Sequence, residues 1–279
     1  MAAAQGPVAT HDTWEIVHDS PTTQDEENEA MTDLVLREQR GAAAHLILNR
    51  PDKLNSLNVP VFEALDAHVR AIADDPSGVA AVVLRGAGRC FSAGHDLGDI
   101  AAGERLPEPH YQANVIERLA RLPLPVITAV HGHCYTGALE LALAGDLILA
   151  AESARFADTH AKWALTPVWG LSQRLPRRVG TTKAREMMFT CRTYSGREAE
   201  AIGLANACFA DDAFEAGIDA WVAEIAANSS FSHAANKRLL DMTDGLPLPV
   251  GLAHEVYRGE GRGPDMQERI AAFASRKRG

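Results

Sequence analysis

The sequence predicts an α/β fold in which a sheet-rich first half is followed by a mainly helical second half. Three observations support this prediction. Apolar stretches of strand length occur before residue 151, and apolar residues recur at helical spacing from Thr181 onward. A strand-turn-strand-helix order also recurs near 34–73, 79–100 and 126–146, which is a weak sign of a repeated unit. At 279 residues the chain is long enough to form one domain with a large core.

The elements before residue 123 follow from turn residues and from apolar spacing. Gly41 separates two strand-like segments, which predicts a β-hairpin. Pro60 opens a helix, because proline suits the first helical position and apolar residues then recur at helical spacing. The predicted segments, in order, are strands at 34–38 and 45–49, a helix at 60–73, a buried strand at 79–84, a loop at 101–112 and a short helix at 114–122.

Residues 124–146 carry the most informative pattern in the chain. An apolar strand is followed by a short polar turn and by a helix that opens at Gly137, with Glu140 in its first turn. A glycine N–H at a helix N-terminus donates toward negative charge, and the helix dipole strengthens that donor. Glu140, three residues on, lies on the same helix face. This element offers an anion-stabilising N–H and a candidate base, a pairing that suits chemistry through an enolate.

The rest of the chain is predicted to add two strands and then helices. The strands are at 147–150 and 155–157, and the helices are at 183–191, 197–203, 212–227, 230–243, 248–258 and 265–276.

Composition narrows the function classes. Every charged side chain before Arg37 is acidic, so residues 1–30 are expected to be a disordered acidic tail. The remaining chain is close to neutral, which gives no reason to expect nucleic-acid binding. No uncharged apolar run reaches about 18 residues, and the N-terminus lacks a secretory pattern, so we expect a cytoplasmic protein with no membrane span.

The four cysteines are scattered and form no CxxC motif or histidine-rich cluster. They are Cys90, Cys134, Cys191 and Cys208. This spacing favours reduced core thiols and makes a metal site improbable.

A second informative segment, Gly86 to Leu97, follows the strand at 79–84. Its small residues let the backbone approach a ligand closely, and a bend there would leave N–H groups unpaired by the sheet. If the N–H near His95 converges with that of Gly137, two donors face one oxygen. That arrangement is an oxyanion hole.

Taken together, these motifs resemble the enoyl-CoA hydratase/isomerase, or crotonase, family. The similarity runs from about Leu34 to the C-terminus, with several separate motifs in the family's order. They are Arg50-Pro-Asp-Lys-Leu-Asn-Ser-Leu57, Phe91-Ser-Ala-Gly-His-Asp-Leu97, Pro125-Val-Ile-Thr-Ala-Val-His-Gly132 with Glu140 and Asp146, Pro167 with Gly170 and Gln173-Arg174-Leu175, the segment 195–204, and Gln267-Glu-Arg-Ile-Ala-Ala-Phe273 with Arg276.

The resemblance implies a crotonase-like spiral of ββα repeats over 31–215, followed by a C-terminal helical region at 216–279 that makes trimers, often paired into hexamers. It implies no permanently bound cofactor, since the acyl substrate is carried as a coenzyme A thioester. The backbone N–H groups of His95 and Gly137 would hold the thioester oxygen. The implied substrate-binding residues are Lys53, Leu54, Ala93, Asp96, Leu97, Phe273 and Arg276.

The second catalytic position departs from the family pattern. Hydratases of this family use two glutamates; Glu140 matches the first, whereas the second position falls on His160. An imidazole works as an acid or base near pH 7, so a Glu140/His160 pair is chemically workable, and Asp158 is an alternative acid. A smaller departure is Thr136-Gly137-Ala138, where many members have a glycine run.

Several side chains have a structural interpretation beside the catalytic one. Glu140 could belong to a helix cap, although a capping box needs the acid one position earlier if Thr136 is the N-cap. His160 could be a satisfied loop histidine. The imidazole of His95 need not take part, because only its backbone is implicated. His131 and His133 could be structural or could line the acyl pocket. Trp163 and Trp169 could pack the core or shape that pocket. The basic end at 276–278 could be a solvated tail or could hold a CoA phosphate.

The predicted activity is hydration of a trans-2-enoyl-CoA, with Glu140 activating the water. Two other classes stay open. One is double-bond isomerisation or hydrolysis of an acyl-CoA on the same scaffold. The other is a non-catalytic acyl-CoA-binding protein, although such a protein has no need of a base at Glu140.

Overall fold

The computed structural model describes residues 34–276. Residues 1–33 and 277–279 lie outside the described part, and so does the side chain of Arg276. The predicted acidic tail at 1–30 therefore falls outside it as well.

A six-stranded sheet forms the centre of the fold. Its strands are β1 (Val35–Arg40), β2 (Ala43–Leu48), β3 (Ala81–Gly86), β4 (Val126–Val130), β6 (Leu147–Ala151) and β9 (Ala207–Phe209). Their order in the sheet is β1-β2-β3-β4-β6-β9. The predicted hairpin is confirmed, because β1 and β2 pair antiparallel across Gly41, whereas every other pair in this sheet is parallel. The strand β9 has only three residues and was not predicted from the sequence.

A second, three-stranded sheet consists of β5 (His133–Tyr135), β7 (Arg155–Ala157) and β8 (Tyr194–Ser195). These strands lie in the order β5-β7-β8. The prediction of a polar turn between β4 and the helix at Gly137 was wrong on this point, because β5 occupies most of that turn. Gly132, at φ +55°, lets the chain step from one sheet to the other. The same step from the large sheet to the small one occurs again between β6 and β7.

Ten α-helices complete the described part of the chain. They are α1 (Val59–Asp74), α2 (Leu97–Ala102), α3 (Tyr111–Ala120), α4 (Gly137–Ala142), α5 (Leu171–Thr190), α6 (Gly196–Ala201), α7 (Phe214–Ala226), α8 (Ser230–Thr243), α9 (Leu248–Arg258) and α10 (Met266–Arg276). The helix at α5 begins earlier than predicted. Pro176 lies inside it and Gly180 kinks it, and both residues obscure helical spacing in the sequence.

Both faces of the large sheet are buried, as its apolar strands predict. On β3, Val82 and Leu84 face the core that includes α1, whereas Val83 faces the smaller core formed with Phe214 and Ile218 of α7. This two-sided burial holds the carboxyl ends of β3 and β4 in place, and the site described below begins there. Within residues 34–276, no helix is both long enough and apolar enough to cross a bilayer.

Candidate active site

The N–H groups of His95 and Gly137 lie side by side, as the oxyanion-hole prediction requires. A Cβ on Gly137 would lie 3.2 Å from the His95 nitrogen, and a Cβ on Gly94 would lie 3.6 Å from the Gly137 nitrogen. Gly94 adopts φ +106°, where a side chain would also meet the Tyr135 carbonyl oxygen at 2.5 Å. Glycine at 94 and 137 therefore permits the close approach of the two segments.

The main chain on either side of His95 is anchored to Leu57. The Leu57 N–H donates to the Gly94 carbonyl, and the Asp96 N–H donates to the Leu57 carbonyl, each at 2.8 Å. Among the described residues, neither the His95 N–H nor the Gly137 N–H donates to a protein acceptor. Two backbone donors are thus left to bind a ligand oxygen.

Glu140 is a buried carboxylate held by backbone donors, and it does not serve as a helix cap. Only 1% of the residue is exposed. Its Oε1 accepts the N–H of Trp169 at 2.8 Å and the N–H of Leu171 at 3.1 Å. Burial raises the pKa of the Glu140 carboxyl above its ordinary value, and the bonds from the two N–H groups offset that effect only in part. The site therefore holds a base stronger than a solvated glutamate.

His160 faces Glu140 through one ring nitrogen and binds Asp158 through the other. Its Nδ1 lies 2.6 Å from Asp158 Oδ1, which also accepts the His160 backbone N–H at 3.0 Å. A carboxylate accepts here, so Nδ1 carries the hydrogen and Nε2 is left for chemistry. Nε2 lies 3.7 Å from Glu140 Oε2, too long for a hydrogen bond. The two groups can act on one ligand without being bound to each other.

Asp158 is therefore the partner of His160 in this structure. It is 1% exposed and does not line the cavity, whereas His160 does. Asp158 was predicted as an alternative acid, and its pairing with His160 was not predicted from the sequence.

One cavity of about 560 Å³ is lined by His95, Gly137, Glu140 and His160 together. Aromatic and aliphatic side chains form much of its wall, and those of Leu97, Trp163, Leu165 and Val168 are exposed at the surface. Trp163 and Trp169 both line the cavity, and shaping a pocket is one of the two roles that the sequence predicts for them. The lining residues are Ala93, His95, Leu97, Ile100, Tyr135, Thr136, Gly137, Glu140, Thr159, His160, Lys162, Trp163, Ala164, Leu165, Thr166, Val168 and Trp169.

Of the predicted substrate-binding residues, Ala93 and Leu97 line the cavity. Lys53 and Leu54 do not line it; they belong to the turn whose Leu54 carbonyl accepts the Ala93 N–H at 2.9 Å. Phe273 is 60% exposed on α10, and the side chain of Arg276 is outside the described residues. The substrate-binding role of these residues stays a prediction.

Asp96, the remaining member of that set, is engaged with its own segment. Its carboxylate accepts the Gly98 N–H at 3.1 Å and the Ser56 hydroxyl at 2.9 Å, and it pairs with Arg50 at 3.4 Å. These contacts cap α2 and tie it to the turn after β2.

Two further contacts near the site had no signal in the sequence. The His95 imidazole binds Glu104, with Nε2 and Oε2 2.8 Å apart, and it stacks on the Trp169 indole. By contrast, His131 and His133 bind the Gly88 carbonyl and the Tyr135 hydroxyl, and neither lines the cavity. No group of three or more His, Cys, Asp or Glu side chains in the described part is arranged to hold a metal ion.

Similarity to known proteins independently supports the family resemblance. The family model described as enoyl-CoA hydratase/isomerase matches residues 38–273. A probable enoyl-CoA hydratase of Mycobacterium bovis is 39% identical over 265 residues, covering 88% of this chain and 91% of the relative.

Solved structures agree with the sequence relatives. The crystal structure of an enoyl-CoA hydratase from Bacillus anthracis superposes with a TM-score of 0.80 at 30% identity, over 87% of this chain and 96% of that chain. A Thermobifida fusca protein assigned as an enoyl-CoA hydratase, in complex with acetoacetyl-CoA, superposes with a TM-score of 0.73 at 25% identity, over 89% and 98% of the two chains. The predicted crotonase-like fold is confirmed, and the chain belongs to the enoyl-CoA hydratase/isomerase family.

Proposed function

We propose that this protein is an enoyl-CoA hydratase that adds water across the 2,3 double bond of a trans-2-enoyl-CoA. One observation carries the proposal. Glu140 Oε2 and His160 Nε2 lie 3.7 Å apart in the wall of the cavity that also holds the His95 and Gly137 N–H groups. A base, a second acid/base group and an oxyanion site are the three parts that hydration through an enolate requires.

The thioester carbonyl oxygen binds the His95 and Gly137 N–H groups. Water then adds to C3, and the electron pair of the double bond moves onto that oxygen as an enolate. Donors of this kind each stabilise the transition state by roughly 3 kcal/mol, because they strengthen as negative charge develops. Acyl-CoA as the substrate class is supported by the Thermobifida fusca homologue, which holds acetoacetyl-CoA.

Glu140 takes the proton from the attacking water as the oxygen bonds to C3. Its burial favours this role, since a raised pKa makes the carboxylate a better base. In this scheme His160 begins the cycle with a hydrogen on each ring nitrogen. Its Nδ1–H donates to Asp158, and it delivers the Nε2 proton to C2 as the enolate collapses. Release of one proton from Glu140 and recovery of one by His160 returns the site to its starting state.

We also propose a homotrimer or homohexamer assembled through the C-terminal helices. These helices leave large apolar side chains in water in the single chain, among them Leu240, Leu248, Val256 and Tyr257. Exposed apolar area of this kind marks a contact surface. Light scattering on the purified protein measures the mass of the assembly, and a monomer would contradict this part of the proposal.

The activity is tested with crotonyl-CoA and longer 2-enoyl-CoAs, by following loss of the conjugated thioester absorbance. We expect turnover by the wild type, with Glu140→Gln reduced by a factor of about 100 or more and His160→Ala reduced less. Glu224→Gln is the matched control, since Glu224 is exposed on α7.

Other outcomes would favour the alternatives. Turnover of 3-enoyl-CoA but not 2-enoyl-CoA would identify an isomerase, and release of free CoA would identify a hydrolase. Tight binding of CoA esters with no turnover of any of these would identify a binding protein. Hydration by Glu140→Gln at the wild-type rate would remove Glu140 from the mechanism.

A further inference from the structure

Glu104 reaches back from the segment between α2 and α3 to the oxyanion residue His95. Its Oε2 lies 2.8 Å from His95 Nε2 and 3.0 Å from Gln112 Nε2. An amide nitrogen only donates, so Oε2 is the acceptor of both contacts. The hydrogen of the His95 imidazole therefore sits on Nε2, and the ring orientation is fixed by Glu104.

The position of this carboxylate is costly to the fold. Only 12% of the Glu104 side chain is exposed, and among the described residues its Oε1 is buried without a hydrogen-bond partner. A buried charged group with an unpaired oxygen destabilises the folded state. Unsatisfied groups of this kind are rare in folded proteins and call for an explanation beyond packing.

The His95 ring, which Glu104 holds, contacts the Trp169 indole. The two rings lie 4.6 Å apart between centroids and are tilted by 35°. Trp169 covers the oxyanion glycine, because a Cβ on Gly137 would lie 2.6 Å from its Cζ3. Its backbone N–H also holds Glu140 Oε1 at 2.8 Å. A contact path thus runs from Glu104 through His95 and Trp169 to both halves of the site.

We propose that Glu104 is a positioning residue, which acts through the His95 imidazole to hold Trp169 over Gly137 and beside Glu140. The proposal rests on the proposed function for the identity of the reaction. The backbone of His95 is already anchored by Leu57, so the effect of Glu104 falls on the His95 ring and on Trp169. Loss of Glu104 should therefore slow the chemical step and leave the binding of the CoA portion unchanged.

The test compares Glu104→Leu, which removes the acceptor, with Glu104→Gln, whose amide oxygen can still accept from both donors. Glu108→Leu is the matched control, because Glu108 is exposed on the same segment and its carboxylate binds Asn114 instead of a residue of the site. We expect kcat to fall about tenfold or more in Glu104→Leu, with the Kd for free CoA unchanged. Glu104→Gln should keep most of the activity, and Glu108→Leu should match the wild type.

A double-variant cycle separates positioning from a general structural effect. If Glu104 acts through the His95 ring, Glu104→Leu should cost little in a His95→Ala background. The readout is the pH at which bound acetoacetyl-CoA forms its enolate, followed by absorbance. This readout needs no turnover, so it is independent of hydratase activity. We expect Glu104→Leu to raise the pH of enolate formation by about one unit, which corresponds to a tenfold loss of enolate stabilisation. In the His95→Ala background, Glu104→Leu should raise this pH no further.

Two results would overturn the positioning role: an enolate titration in Glu104→Leu that matches the wild type, or a full additive loss in the double variant. Failure of the proposed function gives a different signature, namely no turnover of 2-enoyl-CoA by the wild type while the enolate titrations still differ among the variants.

Discussion

Asp158 Oδ1 lies 2.6 Å from His160 Nδ1, and the opposite nitrogen of the same ring lies 3.7 Å from Glu140 Oε2. A histidine whose far nitrogen is held by a buried carboxylate has a fixed tautomer and a fixed ring orientation. In the proposed mechanism, the pair supplies the acid/base group at the position that the family resemblance assigns to a second glutamate. His160 takes the place of that glutamate there, and Asp158 orients its ring.

Asp158→Asn should lower kcat by at least about tenfold, because the amide no longer fixes the ring and can favour the wrong tautomer. KM should stay close to the wild-type value, which a general loss of folding would not produce. Steady-state kinetics provide the measurement, with Asp211→Asn as the control, since Asp211 is exposed and binds the Ser153 N–H. A kcat equal to that of the wild type would remove Asp158 from the mechanism.

The value of kcat/KM should fall on the acid side with a midpoint above pH 4.5, the ordinary pKa of a glutamate. Burial raises the pKa of Glu140, and only the deprotonated carboxylate can accept a proton from water. Activity is therefore present above this raised pKa and is lost as the pH falls through it. The pH dependence of crotonyl-CoA hydration checks this expectation. A rate that stays constant down to pH 4.5 would contradict it.

Gly137→Ala should reduce kcat by a factor of about 100, equivalent to the loss of one oxyanion donor. The new Cβ would lie 2.6 Å from Trp169 Cζ3 and 3.2 Å from the His95 nitrogen, so the two segments must separate. Gly251→Ala on α9 is the control, because its Cβ makes ordinary contacts with Thr243. If Gly137→Ala hydrates crotonyl-CoA as fast as the control, the assignment of this N–H is wrong.

Stability should depend on pH through His45 in the central sheet. Burial, aided by Arg40 and Arg85, lowers the pKa of His45 from 6.5 to about 4. The folded state thus favours the neutral ring. The contribution of the neutral His45 ring to the free energy of unfolding is fully present above about pH 6.5 and is lost as the pH falls toward 4.

The expected loss in unfolding free energy attributable to His45 is roughly 2 kcal/mol between pH 7.5 and pH 5. Urea unfolding at the two pH values measures it in the wild type and in His45→Gln, which has no titrating ring. The same decrease in both proteins would show that His45 is not the source.

The core of the site could be predicted from the sequence because local chemistry marks it. Gly137 opens a helix after a buried strand, and Glu140 follows at helical spacing, so both signals lie within a few residues. His95 was chosen through the resemblance to a family whose order of motifs is specific. The close approach of its N–H to Gly137 then follows from the two parallel strands that end side by side.

The other features depend on residues far apart in sequence, which local patterns do not reveal. The strand β5 is three residues long and gains its pairing from β7. The early start of α5 is hidden by Pro176 and Gly180. The partners of His95 and His160 depend on side-chain orientation, so nothing in the spacing of Glu104 or Asp158 indicates a bond to either ring.

The central claim is that Glu140 directs water to C3 of an enoyl thioester whose oxygen is held by His95 and Gly137. Turnover of crotonyl-CoA in ¹⁸O-labelled water, followed by mass spectrometry, tests it most directly. We predict one labelled oxygen in the hydroxyl group of 3-hydroxybutyryl-CoA from the wild type, and almost none from Glu140→Gln. Label in a released carboxylic acid, or equal labelling of the product by both proteins, would contradict the mechanism.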